Sequence, residues 1–126
     1  MKEQELFEYL VSCCYPDLVK AKSQMSRWDC YSPETYHRIE LKCRTVHYDT
    51  LLIEKKKYDA IIAKCNDNLD IPMYVNSTPS GVYRFNLYIV DPVWQIQYHN
   101  TTTEFKNNKK IPKEIALLDV SEAEII

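Results

Sequence analysis

Seventeen residues, Trp28 to Arg44, read W-D-C-Y-S-P-E-T-Y-H-R-I-E-L-K-C-R, and among them Asp29, Glu40 and Lys42 stand at spacings that matter. Asp29 sits near the end of one short extended run. Ser32, Pro33 and Glu34 make a turn, and a second run carries Glu40-Leu41-Lys42. Side chains on a strand alternate faces, so Glu40 and Lys42 point one way while Ile39, Leu41 and Cys43 point the other. Paired as a hairpin, the two runs bring Asp29 toward the Glu40/Lys42 face.

That set suits hydrolysis of a phosphodiester, which needs an activated water and relief of the charge building on the phosphoryl oxygens. A magnesium ion meets both needs, and manganese can replace it. Magnesium takes hard oxygen ligands, typically one or two carboxylates completed by water and substrate phosphate. Asp29 and Glu40 offer the carboxylates and the backbone carbonyl of Leu41 a further oxygen. Lys42 would orient the attacking water or stabilise the pentacovalent phosphate. The plainer reading makes Asp29 a turn acid and Glu40/Lys42 an exposed ion pair.

Elements must position these groups. Residues 3–22 read as a helix, because Leu6, Phe7, Leu10, Val11 and Cys14 recur on one face. Pro16 either ends that helix near Cys14 or opens a second turn. Glu3 precedes Leu6, Phe7 and Leu10 by three, four and seven residues, and so projects along the apolar stripe; a solvated first turn is the alternative. The hairpin spans 25–46. A second helix is expected from Asp49 to Asp67, with Asp49 or Thr50 as its cap and Leu51, Tyr58, Ile61, Ile62 and Cys65 facing the core. Glu54 lies at the edge of that face, and Lys56, Lys57 and Asp59 point outward. Strands follow at 71–76, at 82–90 as the longest, and at 93–99. Ser77 to Gly81 is a turn, 100–110 a polar loop, and 111–126 a short strand or helix laid on the body.

The order glutamate-bearing helix, Asp strand, Glu-x-Lys strand, helix resembles the PD-(D/E)xK nuclease superfamily, which includes archaeal-type Holliday-junction resolvases and many phage nucleases. Glu40-Leu41-Lys42-Cys43-Arg44 matches its E-x-K-x-R run, and Glu3 its helical glutamate. The resemblance covers roughly residues 1–68. Trp28 replaces the family's proline, and Glu54 stands where a polar residue often faces the site, as an outer ligand or only the partner of a lysine. The implied fold is α/β (α+β), a restriction-endonuclease-like core with a mixed central sheet flanked by helices. The implied activity is that of a metal-dependent deoxyribonuclease, with Asp29, Glu40, Lys42 and Glu3 catalytic, magnesium or manganese as cofactor, and DNA as partner. Small members often work as dimers, so a homodimer is among the assemblies implied. The rival is a nuclease-like fold without activity, a phage structural or assembly component that binds protein through a sheet edge or a tyrosine-rich surface.

Arg38, Lys42 and Arg44 share a strand face, with Arg27 preceding it, and form the expected basic patch for the DNA backbone. Lys55 heads a run of three lysines that is either solvated surface or a phosphate contact. Lys106, Lys109, Lys110 and Lys113 form a second basic cluster.

The whole chain sets limits. Its 126 residues suit one domain over 1–126, and the net charge of −2 with a pI near 5.9 argues against a generic nucleic-acid coat. A single glycine, Gly81, leaves no phosphate-cradling loop. Five cysteines without a C-x-x-C spacing read as free thiols, with Cys13 and Cys14 on a buried helix face. Cys43 and His47 lack further ligands for zinc. No apolar run approaches a membrane span, so the expected location is cytoplasmic, in the host if the chain is phage-encoded.

Overall fold

The computed structural model describes residues 1–23, 25–100 and 110–126. Helix α1 (Glu3–Cys13) buries Leu6 and Leu10 against the sheet. It stops three residues before Pro16, with Cys14 as its cap, so the sequence to 22 is not one helix. Val19–Lys20 is instead a two-residue strand, β1. Strands β2 (Cys30–Ser32) and β3 (His37–Cys43) form the expected hairpin, with Cys30 opposite Ile39 and Tyr31 opposite Arg38.

The expected second helix is two elements. Thr50–Glu54 is strand β4, with Leu51 and Ile53 buried in alternation. Helix α2 occupies Lys55–Asn68, with Glu54 as its cap residue. Leu51 therefore reaches the core from a strand. Strands β5 (Ile71–Thr78) and β6 (Gly81–Asn86) follow. Residues 87–90 leave the extended path, so this is not the longest strand. That place belongs to β8 (Lys110–Asp119), which pairs with β7 (Gln95–Asn100) and runs through part of the expected C-terminal tail. A short 3-10 turn (Val120–Glu122) leads into β9 (Glu124–Ile125). Most of the expected loop at 100–110, with Lys106 and Lys109, lies outside the described residues.

Two sheets result: six strands in the order β1-β2-β3-β5-β6-β9, and three in the order β4-β8-β7. β3 runs parallel to β5, and the β4–α2 connection crosses over between them. Alternation splits the larger sheet into two faces. Ile39, Leu41, Met73 and Val75 pack beneath α1 with Leu6 and Leu10. Tyr74, Tyr83 and Phe85 pack on the other side with Ile61 and Cys65 of α2 and Leu51, Ile53, Ala116 and Leu118 of the smaller sheet. The mixed sheet between helical layers is the expected α/β architecture. The second sheet was not anticipated.

Candidate active site

β3 lies at the middle of the candidate site, and its two faces carry different chemistry. Its Ile39 and Leu41 are buried under α1, while Glu40 is half-covered and Lys42 exposed. Asp29 immediately precedes Cys30, the partner of Ile39, so continuing the register sets it beside Glu40. Its carboxylate Oδ2 accepts a hydrogen bond from the Leu41 backbone N–H at 2.7 Å. The N–H and carbonyl of one strand residue point to the same neighbour, so the Leu41 carbonyl also opens toward the Asp29 edge. Asp29 thus stands just before a strand rather than within one, clamped to the run that carries Glu40.

The electrostatics show how closely the acids stand. The Glu40 carboxyl is pushed up to about 7, chiefly by burial and then by the Asp29 charge, with Lys57 opposing both. Glu3, the first residue of α1, is raised by desolvation and then by Asp29, with Lys20 and Lys57 acting in the opposite sense. The β2–β3 register sets Asp29 beside Glu40, and Asp29 lines one cleft with Glu3. Among the described residues, no three His, Cys, Asp or Glu side chains converge on one point as a ready-made cage. A pair of carboxylates with a carbonyl beside them is nonetheless the sparse oxygen set that magnesium uses when water and phosphate complete its shell.

Lys57, which the sequence reading placed in solvent, stands against the candidate site. Its Nζ donates to Glu40 Oε1 at 3.2 Å, and the Glu40 side chain is 13% exposed. The signal was present, since Lys57 lies four residues before buried Ile61 and so shares its sheet-facing side. A cleft of about 350 Å³ is lined by Glu3, Asp29 and Leu41 together with Lys20 and Lys22. Those two lysines were also missed, because they fell in the stretch read as helix.

Other expected members are elsewhere or otherwise engaged. Glu54 does not face Asp29. It pairs with Lys113 Nζ at 3.1 Å across β4 and β8, and lines a separate groove. Arg38 is not on a DNA-facing surface: it is buried, donates to Asp70 Oδ2 at 2.6 Å, and stacks over Trp28 and Tyr31. Arg44 is spent internally on Asn76 Oδ1 at 2.7 Å and the Leu52 carbonyl at 2.6 Å. Both arginines leave the expected patch because internal partners hold them: Asp70, Trp28 and Tyr31 for Arg38, and Asn76 and Leu52 for Arg44. Arg27 is exposed beside α2, and Lys55 pairs with Asp59 at 2.7 Å. Cys13 is exposed and Cys14 half-buried, contrary to the buried face expected of them. Lys42 is exposed on the Glu40 face, and among the described residues no hydrogen bond or ion pair holds it.

The architecture can be compared with known proteins. The structure of Hjc, a Holliday-junction resolvase from the archaeal hyperthermophile Archaeoglobus fulgidus, superposes with a TM-score of 0.62 over 98% of this chain and 88% of that one. The fold is shared with a Holliday-junction resolvase. Identity to this resolvase is 15%, so the likeness lies in the fold and not in the sequence at large. The likeness of fold extends beyond residues 1–68 to 98% of the chain. No protein-family model matches the chain, and no curated protein is similar to it in sequence.

Proposed function

We propose that the chain is a magnesium-dependent deoxyribonuclease that hydrolyses phosphodiester bonds in DNA through Asp29, Glu40 and Lys42. The observation that carries this reading is the clamp of Asp29 onto the Leu41 N–H, which fixes one acid beside the Glu40/Lys42 face. A resolvase fold around that clamp supports it.

Asp29, Glu40 and the Leu41 carbonyl are the groups that would hold magnesium or manganese. Bound there, the ion would supply Lewis acidity toward the phosphoryl oxygen and a more acidic water. Asp29 keeps its orientation through the Leu41 N–H. Glu40 would hold the ion in its ionised form, which the Lys57 ammonium favours. Lys42 aligns the attacking water or neutralises the phosphate as its charge rises. Glu3 assists as an outer carboxylate beside Asp29. Lys20 and Lys22 offer positive charge at the cleft, in place of Arg38 and Arg44. The compact form suits a phage-type nuclease working as a homodimer in the host cytoplasm.

Incubation with supercoiled plasmid tests the reading. Nicking should require magnesium or manganese and stop with EDTA. No cleavage, together with no metal-induced rise in melting temperature, would favour a protein-binding role instead. The observation that speaks for that rival is the exposed tyrosine set of Tyr36, Tyr48, Tyr88 and Tyr98.

A further inference from the structure

Glu3 and Asp29 line the cleft, and its other lining residues carry a different chemistry. Phe7 of α1 and Trp28 give it aromatic surface, Lys20 and Lys22 give it cations, and Gln4 and Ser26 give it neutral hydrogen-bonding groups. The Lys20 ammonium lies 5.0 Å from the Phe7 ring centroid, so that ring turns its π face toward a polar, accessible neighbour. Lys20 is also held by the Gln4 side-chain oxygen. Trp28 is braced by the Arg38 guanidinium, 4.5 Å from its ring, and meets Tyr31 edge to face at 6.4 Å. Arg38 is itself anchored by Asp70. The cleft therefore has one braced aromatic wall, Trp28, and a second, Phe7, which packs on the core beneath α1 and carries the Lys20 ammonium over its ring.

Aromatic faces interleaved with cations are how proteins hold unpaired nucleotides, by stacking the base and tracking the phosphate. The cleft's volume of about 350 Å³ suits one small ligand. A base inside a duplex shows only its edges and cannot reach such walls without leaving the stack. From this juxtaposition we infer that the cleft receives a single unpaired nucleotide adjacent to the phosphate held at Asp29 and Glu40. The favoured substrate is then DNA with an unpaired residue beside the scissile bond, and not a continuous duplex. Lys20 leaves the Phe7 face and moves to the nucleotide's phosphate, so that a base replaces the ammonium over the ring. This deepens the nuclease reading and rests on it for the position of the scissile phosphate.

The test is equilibrium binding in EDTA, which needs no catalysis. One probe is a duplex with a single bulged 2-aminopurine, and the other is the same duplex fully paired. The bulged probe should bind on the order of tenfold more tightly, and its fluorescence should fall as the base stacks. Phe7→Leu, which keeps an apolar side chain under α1, should erase most of the preference, and Lys20→Met should weaken binding of both probes. Equal affinity for the two probes, or no fluorescence change, would overturn the inference even if the protein cleaves plasmid. The preference found without any metal-dependent cleavage would uphold the nucleotide cleft and remove the nuclease reading instead.

Discussion

Lys57 Nζ on α2 stands 3.2 Å from Glu40 Oε1 on β3, so a helix cation crosses to the acid that the proposed centre most needs ionised. The pair is lopsided: the lysine is 56% exposed and the glutamate 13%. The lysine can move away cheaply, whereas the glutamate stays behind. In Lys57→Met, Glu40 should therefore titrate above its value of about 7 in the metal-free protein. Carboxyl NMR would measure this. An unchanged titration would mean that the ion pair does not govern Glu40.

Glu40 also makes a stability prediction. Its folded pKa is raised above the ordinary glutamate value, so folding favours the protonated form. The stabilising contribution is complete below the unfolded pKa and is lost as pH rises through about 7. The metal-free wild type should lose on the order of 2–3 kcal/mol between pH 5 and 8 from this group. Glu40→Gln should be more stable than wild type at pH 8 and nearly equal to it at pH 4. Urea denaturation in EDTA at the two pH values decides, and a pH-independent difference would contradict it.

Arg38 should behave as a core residue. Removing it leaves Asp70 buried without its partner, so Arg38→Ala should cost on the order of 3–5 kcal/mol. The salt dependence of DNA binding by the folded variant should not change, because the guanidinium contacts no phosphate. A variant of wild-type stability with a shallower salt slope would restore Arg38 to the DNA surface.

Leu69 caps α2 in the left-handed region at φ 57°, and the residue is 87% exposed. A leucine there pays a steric cost that glycine avoids, and it returns almost no burial. Leu69→Gly should gain about 1 kcal/mol in denaturant unfolding. A loss of stability would show that Leu69 makes a contact in solution.

Glu54 and Lys113 form a partly exposed pair, each side chain about one-third accessible. Such pairs are worth under about 1 kcal/mol. Glu54→Gln should therefore leave stability within that range and the cleavage rate within about twofold. A large loss of cleavage would return Glu54 to the centre.

What the sequence disclosed follows from how local each feature is. The Asp29 and Glu40-Leu41-Lys42 runs are joined by a tight turn, so their pairing was readable from alternation alone. Strand β4 was not, because Leu51, Tyr58 and Ile61 mimic a helical stripe running across the true strand–helix boundary at Glu54. Its partner β8 lies some sixty residues further along, and such pairing leaves no local mark. The same limit hid Arg38: the strand pattern gave its face, but only the distant Asp70 and the packing of Trp28 and Tyr31 bury it. Lys57 was legible in its spacing to Ile61 and was passed over as one of three like charges.

The most direct test of the account is single-turnover nicking of supercoiled plasmid by Lys42→Ala at saturating magnesium, beside wild type and Glu40→Ala. The Lys42 side chain is exposed and makes no hydrogen bond or ion pair among the described residues, so its loss should leave folding and the magnesium-induced rise in melting temperature intact. The rate should nevertheless fall by on the order of a hundredfold or more. Glu40→Ala should lose both nicking and the magnesium response. Nicking by Lys42→Ala at the wild-type rate would contradict the assignment of the Asp29, Glu40 and Lys42 surface as a phosphodiesterase centre.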